Sequence, residues 1–359
     1  MKPALLSGVQ PTGRLHLGNY LGALKNFVEL QNSGKYECHF FIADLHSLTE
    51  PFDQKDKPKQ ILELTADFLA AGLDPKKSVI FQQSQIPAHT ELGWIFETIA
   101  PLGELSRMTQ FREKVEQLGK NLEDISRRID KAVKDATPKV THLQGIMRLS
   151  GEINTGLLTY PILMSADILL YDPRFVPVGN DQDQHLELTR MLARKFNKKF
   201  GDTFTEPQPL FTETPRVMGL ADPEKKMSKS QPESCIFLDD SPEEIRKKMK
   251  RAVTDSGSEI KFAPEKKAGI SNLLKIYSSL SGEPVTKLEK RFAGKTYSEF
   301  KNNLAELIAD HFADYRAKKK SLLAKPQMLK LTLRHGSGRA AKIAARKIAE
   351  VKKKVGLTI

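Results

Sequence analysis

Cysteine is nearly absent. The chain has two in 359 residues, Cys38 and Cys235, far apart, and neither belongs to a C-x-x-C pair. That count argues against a disulfide scaffold and a thiolate metal site, and it fits a reducing compartment. Long apolar runs are missing too, since no stretch approaches the roughly 20 residues a membrane helix needs. Met1 leads through Lys2 and Pro3 straight into a strand-like Ala4–Val9, with no apolar core of the kind a secretion signal carries. The expectation is a cytoplasmic protein without a membrane partner. There is no internal repeat and no long low-complexity linker. The length suggests about two domains and a core that needs no covalent staples.

Acidic residues are scarce at one end only. From Arg316 to Ile359 there are fourteen Lys or Arg and a single acid, Glu350. That segment holds the whole formal charge of +13, and residues 1–315 balance to zero. Such a basic surface suggests a polyanion such as nucleic acid, and a solvated helix face would look the same. Ala344, Ile348, Val351 and Val355 recur at helical spacing, so the segment reads as a helix docked by one face. Its stripe is made mostly of small residues without Trp or Phe, unlike a membrane-surface helix.

Strand-like and helical patterns alternate through the first half. Ala4–Val9, His39–Ala43, Val79–Gln82 and Phe175–Val178 read as strands. Helices follow at Leu17–Val28, Lys59–Ala71, Glu91–Ile99 and Asp181–Phe196. This predicts a Rossmann-type doubly wound parallel sheet with ligands beyond the carboxyl ends of its strands. After Pro232 strands vanish and helices dominate: Pro242–Ala252, Ile270–Leu280, Val285–Phe292 and Tyr297–Lys319. The expected division is a catalytic domain over 1–231, with a charged helical insertion at 115–154, and a helical region over 232–359.

Two motifs carry chemistry. Gly8–Asn19, GVQPTGRLHLGN, follows a strand and opens a helix, where backbone N–H groups and the helix dipole favour phosphate. Gly8 and Gly13 suit a tight turn. Gly18 weakens the helix unless something flat approaches its backbone. His16-x-Gly18-Asn19 alone is equally a capped turn. Lys226–Ser230, KMSKS, sits in a loop flanked by Pro223 and Pro232. Its two lysines suit a developing pyrophosphate charge, or simply a solvated loop. Together, in this order, the two motifs are far more specific than either alone.

Four further stretches join them: HLGNYLGAL from His16, GELSRMTQFREK from Gly103, GLLTYPILMSADILLYDPRFVPVGNDQDQ from Gly156, and VTDSG at Val253 with GISNLL at Gly269. By these the sequence resembles the class I aminoacyl-tRNA synthetases, the tryptophanyl family in particular. The resemblance covers most of the chain. It implies activation of L-tryptophan with ATP and Mg2+, transfer of tryptophan to its tRNA by the helical basic region, and a homodimer. It places ATP against Gln10, Pro11, Thr12, His16, Gly18, Asn19, Gly179, Asn180, Asp181 and Val217. The loop Lys226, Met227, Ser228, Lys229 and Ser230 would close on the same nucleotide, with Lys226, Lys229 and His16 catalytic. Mg2+ would be held by the phosphates, without a protein metal site.

Tyr160, Met164 and Asp167 share one helix face at i, i+4 and i+7, and Asp167 is almost the only charge in an apolar run. By spacing alone a structural salt bridge or cap explains Asp167. By resemblance it accepts the indole N–H, with Met164, Val176 and Val178 walling the ring. Tyr160 and Gln182 would hold the amino group. His46 would line the same region, though a satisfied loop histidine reads the same. The sequence departs from the family in His16, where bacterial members often carry Thr, in Arg112, where Lys is expected, and in the 115–154 stretch. These leave open whether Lys114 reaches ATP. A tyrosyl enzyme, a nucleotidyltransferase making a small product and a non-catalytic RNA-binding relative are the alternatives. Met164-x-x-Asp167 with GNDQ, the helical basic region, and the intact Lys226 and Lys229 argue against each in turn.

Overall fold

The structure, a computed structural model, describes residues 2–109, 111–112, 154–179, 183–211 and 216–358. The 115–154 stretch, apart from Asn154, and Lys114 lie outside the described residues.

Five strands form one parallel sheet: β1 (Ala4–Val9), β2 (Glu37–Ile42), β3 (Val79–Gln82), β4 (Phe175–Val178) and β5 (Gln208–Phe211). Their order is β3-β2-β1-β4-β5, so the winding reverses between β1 and β4. Helices alternate with the strands as the sequence predicts: α1 (Lys25–Ser33), α2 (Lys57–Ala71), α3 (Ala88–Glu97), α4 (Thr155–Leu169) and α5 (Asp183–Phe200). The sequence reading missed β5, because Gln208-Pro209-Leu210-Phe211 looks like a turn. Proline lacks the ladder donor but is tolerated on an edge strand, which β5 is.

Two apolar clusters cover the two sheet faces. Leu5, Phe40 and Ile42 pack with Phe27, Leu64 and Phe68, and this cluster continues into the helical region. Leu6, Phe41, Ala43 and Val176 pack with Phe96, Ile168 and Leu192 on the other face. The alternation of Leu5 and Leu6 between clusters follows from the two-residue period of a strand.

The helical region comprises α6 (Pro242–Arg251), α7 (Ala268–Ser281), α8 (Val285–Arg291), α9 (Tyr297–His311), α10 (Ala313–Leu323) and α11 (Pro326–Lys354). Capping boxes start α6 at Ser241 with Glu244 and α9 at Thr296 with Glu299. The single helix expected over 297–319 is two, broken at Phe312. That ring is buried and meets Tyr20 and Tyr315 edge-on. Helix α10 lies on α2, and α11 returns to the sheet.

The return of α11 seals the free edge of β3. Ser337 Oγ accepts from the Gln82 backbone N–H at 3.2 Å. A Cβ at Gly336 would come within 1.7 Å of the Ile80 carbonyl oxygen, so only glycine fits there. The predicted stripe Ala344, Ile348 and Val351, with Ala340, is buried against α3 and the sheet cluster.

Candidate active site

β1 and β2 stay in register over all six residues. β1 and β4 share one registered position, Leu5 opposite Phe175. The two central strands therefore part toward their carboxyl ends, at the point where the winding reverses, which is where open α/β sheets bind ligands. A cavity of about 920 Å³ occupies this opening and is lined by both faces of the sheet. Leu6, Gly8, Phe41, His46, Tyr160, Met164, Asp167 and Val176 lie toward one face. Gln10, His16, Gly18, Asn19, Gly179, Val217, Lys226 and Met227 lie toward the other.

On the second side, residues 8–19 are held from three directions. Gly13 turns the chain with φ +92°, which favours glycine. Gly8 serves another purpose than a turn: a Cβ there would meet the Phe41 ring at 2.5 Å. Leu15 and Leu17 pair with Leu238 and Ile236 through backbone hydrogen bonds of 3.0 and 2.9 Å, joining this loop to the segment after KMSKS. Lys229 Nζ donates to Thr12 Oγ1 at 3.0 Å and to the Gly13 carbonyl at 3.3 Å. The start of the KMSKS loop is itself paired, with the Met227 N–H donating to the Val217 carbonyl at 3.0 Å. Asn272 of the GISN stretch holds both polar groups of Met218, at 2.9 and 3.0 Å. That stretch thus serves the site by latching the loop.

His16 caps the helix. Its Nδ1 accepts from the Asn19 N–H at 3.3 Å, and Asn19 Oδ1 accepts from the His16 N–H at 3.1 Å. An accepting Nδ1 leaves the proton on Nε2, as a donor. Burial, then the fields of Lys229 and Lys226, push the His16 pKa down to about 4, so the ring is neutral at pH 7. Burial also lowers Lys229, with Asp67 partly opposing.

On the first side, Asp167 is 1% exposed. Its carboxylate accepts from His46 Nε2 at 2.7 Å, from His89 Nδ1 at 2.6 Å, and from Gln83 Nε2 at 2.8 and 2.9 Å. Burial would raise its pKa, but the two histidines outweigh burial and hold it well below the ordinary carboxylate range. This corrects one expectation: the buried carboxylate does not depend on a ligand for its donors, because four protein contacts supply them. His89 Nε2 is 2.9 Å from the Tyr171 hydroxyl, and Gln83 Oε1 accepts from the Leu45 N–H at 3.1 Å. Gln83 thus ties the loop carrying His46 to the helix carrying Asp167. The Tyr160 hydroxyl meets His185 Nε2 at 2.7 Å.

Pro11, Thr12, Ser228, Lys229 and Ser230 do not line the cavity, although Lys229 and Thr12 are bonded just behind it. Val178 belongs to β4. Asn180, Asp181 and Gln182 lie outside the described residues. The sequence reading missed His89, Gln83, Tyr171 and His185. The available signal was polar residues just past the carboxyl end of β3, where such sites form.

Fold and cavity define a Rossmann-type nucleotide-binding protein with an amino-acid-sized polar–apolar recess across the sheet from its lysine loop. A family profile described as tRNA synthetases class I (W and Y) matches residues 1–313. The Tryptophan--tRNA ligase of Bacillus anthracis is 42% identical over 357 residues, covering 99% of this chain and 98% of that one. The solved tryptophanyl-tRNA synthetase of Mycoplasma pneumoniae superposes with a TM-score of 0.81 at 37% identity, covering 100% of this chain and 98% of that chain. That of Campylobacter jejuni, complexed with ADP and tryptophan, gives 0.74 at 35% identity, covering 99% of this chain and 100% of that chain. The chain belongs to the class I tRNA synthetases of the W and Y family.

Proposed function

We propose that this chain is a tryptophan–tRNA ligase, activating L-tryptophan with ATP and then charging its tRNA. The observation that carries this reading is the opening between β1 and β4, which joins the Asp167 side of the cavity to the His16 and Lys226 side. An amino acid on one side and a triphosphate on the other meet end to end there. Full-length similarity to tryptophan–tRNA ligases supports the choice of substrate.

The tryptophan carboxylate is already ionised and needs no general base. One of its oxygens bonds to the α-phosphorus as the bond to the pyrophosphate oxygen breaks, and pyrophosphate leaves with the electron pair. A terminal ribose hydroxyl of tRNA then attacks the acyl carbon, its proton is released, and AMP leaves. The protein's task is alignment and charge stabilisation. In this reading Gln10, Pro11, Thr12, Gly18, Asn19, Gly179, Asn180, Asp181 and Val217 hold ATP, with the loop 226–230. Neutral His16 donates from Nε2 to a phosphate oxygen. Lys226 and Lys229 meet the charge that spreads in the transition state. Among the described residues no three His, Cys, Asp or Glu side chains converge as metal ligands. Mg2+ would therefore enter on the phosphates and neutralise their charge.

Met164, Val176 and Val178 wall the indole, His46 lines it, and Tyr160 and Gln182 hold the amino group. Asp167 accepts the indole N–H in place of one arm of the forked Gln83 bond. A phenyl or phenol ring offers no donor at that point, so the site rejects it.

Among the described residues no helix is long and apolar enough to cross a membrane. We place the enzyme in the cytoplasm, as a homodimer in which Trp94 and Leu102, each 68% exposed, are covered. Amino-acid-dependent ATP–pyrophosphate exchange tests the reading. Tryptophan alone should support exchange. Exchange driven by tyrosine, or none with any amino acid, would overturn it.

A further inference from the structure

The first turns after the H-x-G-N motif are irregular. A single α turn, Leu17–Asn19, runs into a π turn, Tyr20–Leu24, before α1 begins. Widened turns of this kind recur at functional sites because they re-aim one face of a helix. Here the face turned to the cavity carries Gly18, Gly22 and Asn26. Gly22 is a poor helix residue, destabilising by about 1 kcal/mol relative to alanine. A Cβ at Gly22 would meet no atom within 4 Å, so its backbone borders open space. Two bare glycine backbones in line make a floor on which a planar ring can lie.

Asn26 ends that floor. It is 7% exposed, yet its Nδ2 is buried with no hydrogen-bond partner among the described residues. A buried amide donor without a partner costs on the order of 1–3 kcal/mol. Elsewhere the buried amides of Gln31, Gln83 and Asn272 are paired. The exception lies in the wall of the cavity, on the same side as His16 and Lys226.

We propose that Asn26 reads the edge of the ATP base, with the purine lying along Gly18 and Gly22 and the amide of Asn26 facing its 6-amino group and neighbouring ring nitrogen. An asparagine amide offers a donor and an acceptor side by side, the complement of the donor–acceptor pair that adenine presents. The inference rests on ATP being the nucleotide of this cavity and adds the residue that selects its base. Asn26 lies off the path of the transferred phosphoryl group, so it acts on nucleotide affinity and leaves the chemical step alone.

The test is Asn26→Leu, which keeps the volume and removes both polar atoms. Tryptophan-dependent exchange is measured with ATP and with purine riboside triphosphate, which lacks the 6-amino group. Exchange by the parent enzyme establishes the underlying reading independently of this variant. The KM for ATP should rise roughly tenfold, the size of one lost buried hydrogen bond. The KM for the analogue should move much less, with that for tryptophan unchanged. An equal rise for both nucleotides, or no rise for ATP, would overturn the proposal. Should Asn26→Leu fail to fold, the milder Asn26→Ser is assayed for the same ratio of KM values, and an unchanged ratio overturns it equally.

Discussion

His16 shows how a helix cap and a catalytic donor become one side chain. The cap fixes Nδ1 as acceptor, and the buried, lysine-flanked position keeps the ring neutral. Between about 4 and its ordinary value of 6.5 the unfolded chain binds a proton that the folded chain refuses. Stability therefore falls as pH drops through that window and levels off below it. His16→Asn keeps an N-capping oxygen but has no titratable ring. Denaturant unfolding at pH 4.5 and 7 should show a smaller difference for His16→Asn than for the parent. An equal difference would place the titration elsewhere. The motif itself was legible in the sequence because its residues are neighbours. The carboxylate network was legible only in part. Asp167 stood out as a charge in an apolar run, but His89 and Gln83 reach it from the end of β3, about 80 residues away in sequence. No periodicity links positions that only the sheet brings together.

At the scale of elements, strands and helices with strong patterns were read to within a few residues. The failures have physical causes: Pro209 disguised an edge strand, and buried Phe312 broke a pattern that periodicity carried through. The role of α11 was hidden for a different reason. Its apolar stripe was visible, but what it covers was not, because a helix pattern does not name its partner. Gly336→Val tests the contact. The added carbons meet the Ile80 carbonyl, where neither backbone can yield, and we expect a loss of about 3 kcal/mol, read as a fall in Tm. A Tm within a degree of the parent's would mean that α11 does not seat on β3. The basic tail also contributes to the interior. Lys319 is buried between Asp67 at 2.7 Å and Asp239 at 2.9 Å, and Asp239 in turn holds Arg14 beside the glycine turn. This ties α2, α10 and the phosphate loop into one ionic chain.

Over the whole molecule, the excess positive charge divides into two populations. Lys319, Lys347, Lys352 and Lys354 are partly or fully buried and paired with acids. Lys330, Arg334, Lys342 and Arg346 are exposed along α11. Exposed cations on a firmly seated helix are the ones available to a tRNA backbone. Replacing these four with Gln should raise the KM for tRNA and flatten its salt dependence by about 0.7–0.9 per lost phosphate contact in log–log slope. Pyrophosphate exchange should stay at the parent level. An unchanged salt slope would mean the charge is only solvated. Deleting the helix would not test this, because it would also expose β3. That dependence reaches into the protein's own synthesis. β3 ends at Gln82 and the helix that seals it starts at Pro326. At roughly 5–20 residues per second the ribosome leaves that strand unsealed for about 10–50 s. Every nascent chain passes through this interval with an edge able to pair with its neighbours on the same message, and slower elongation lengthens it.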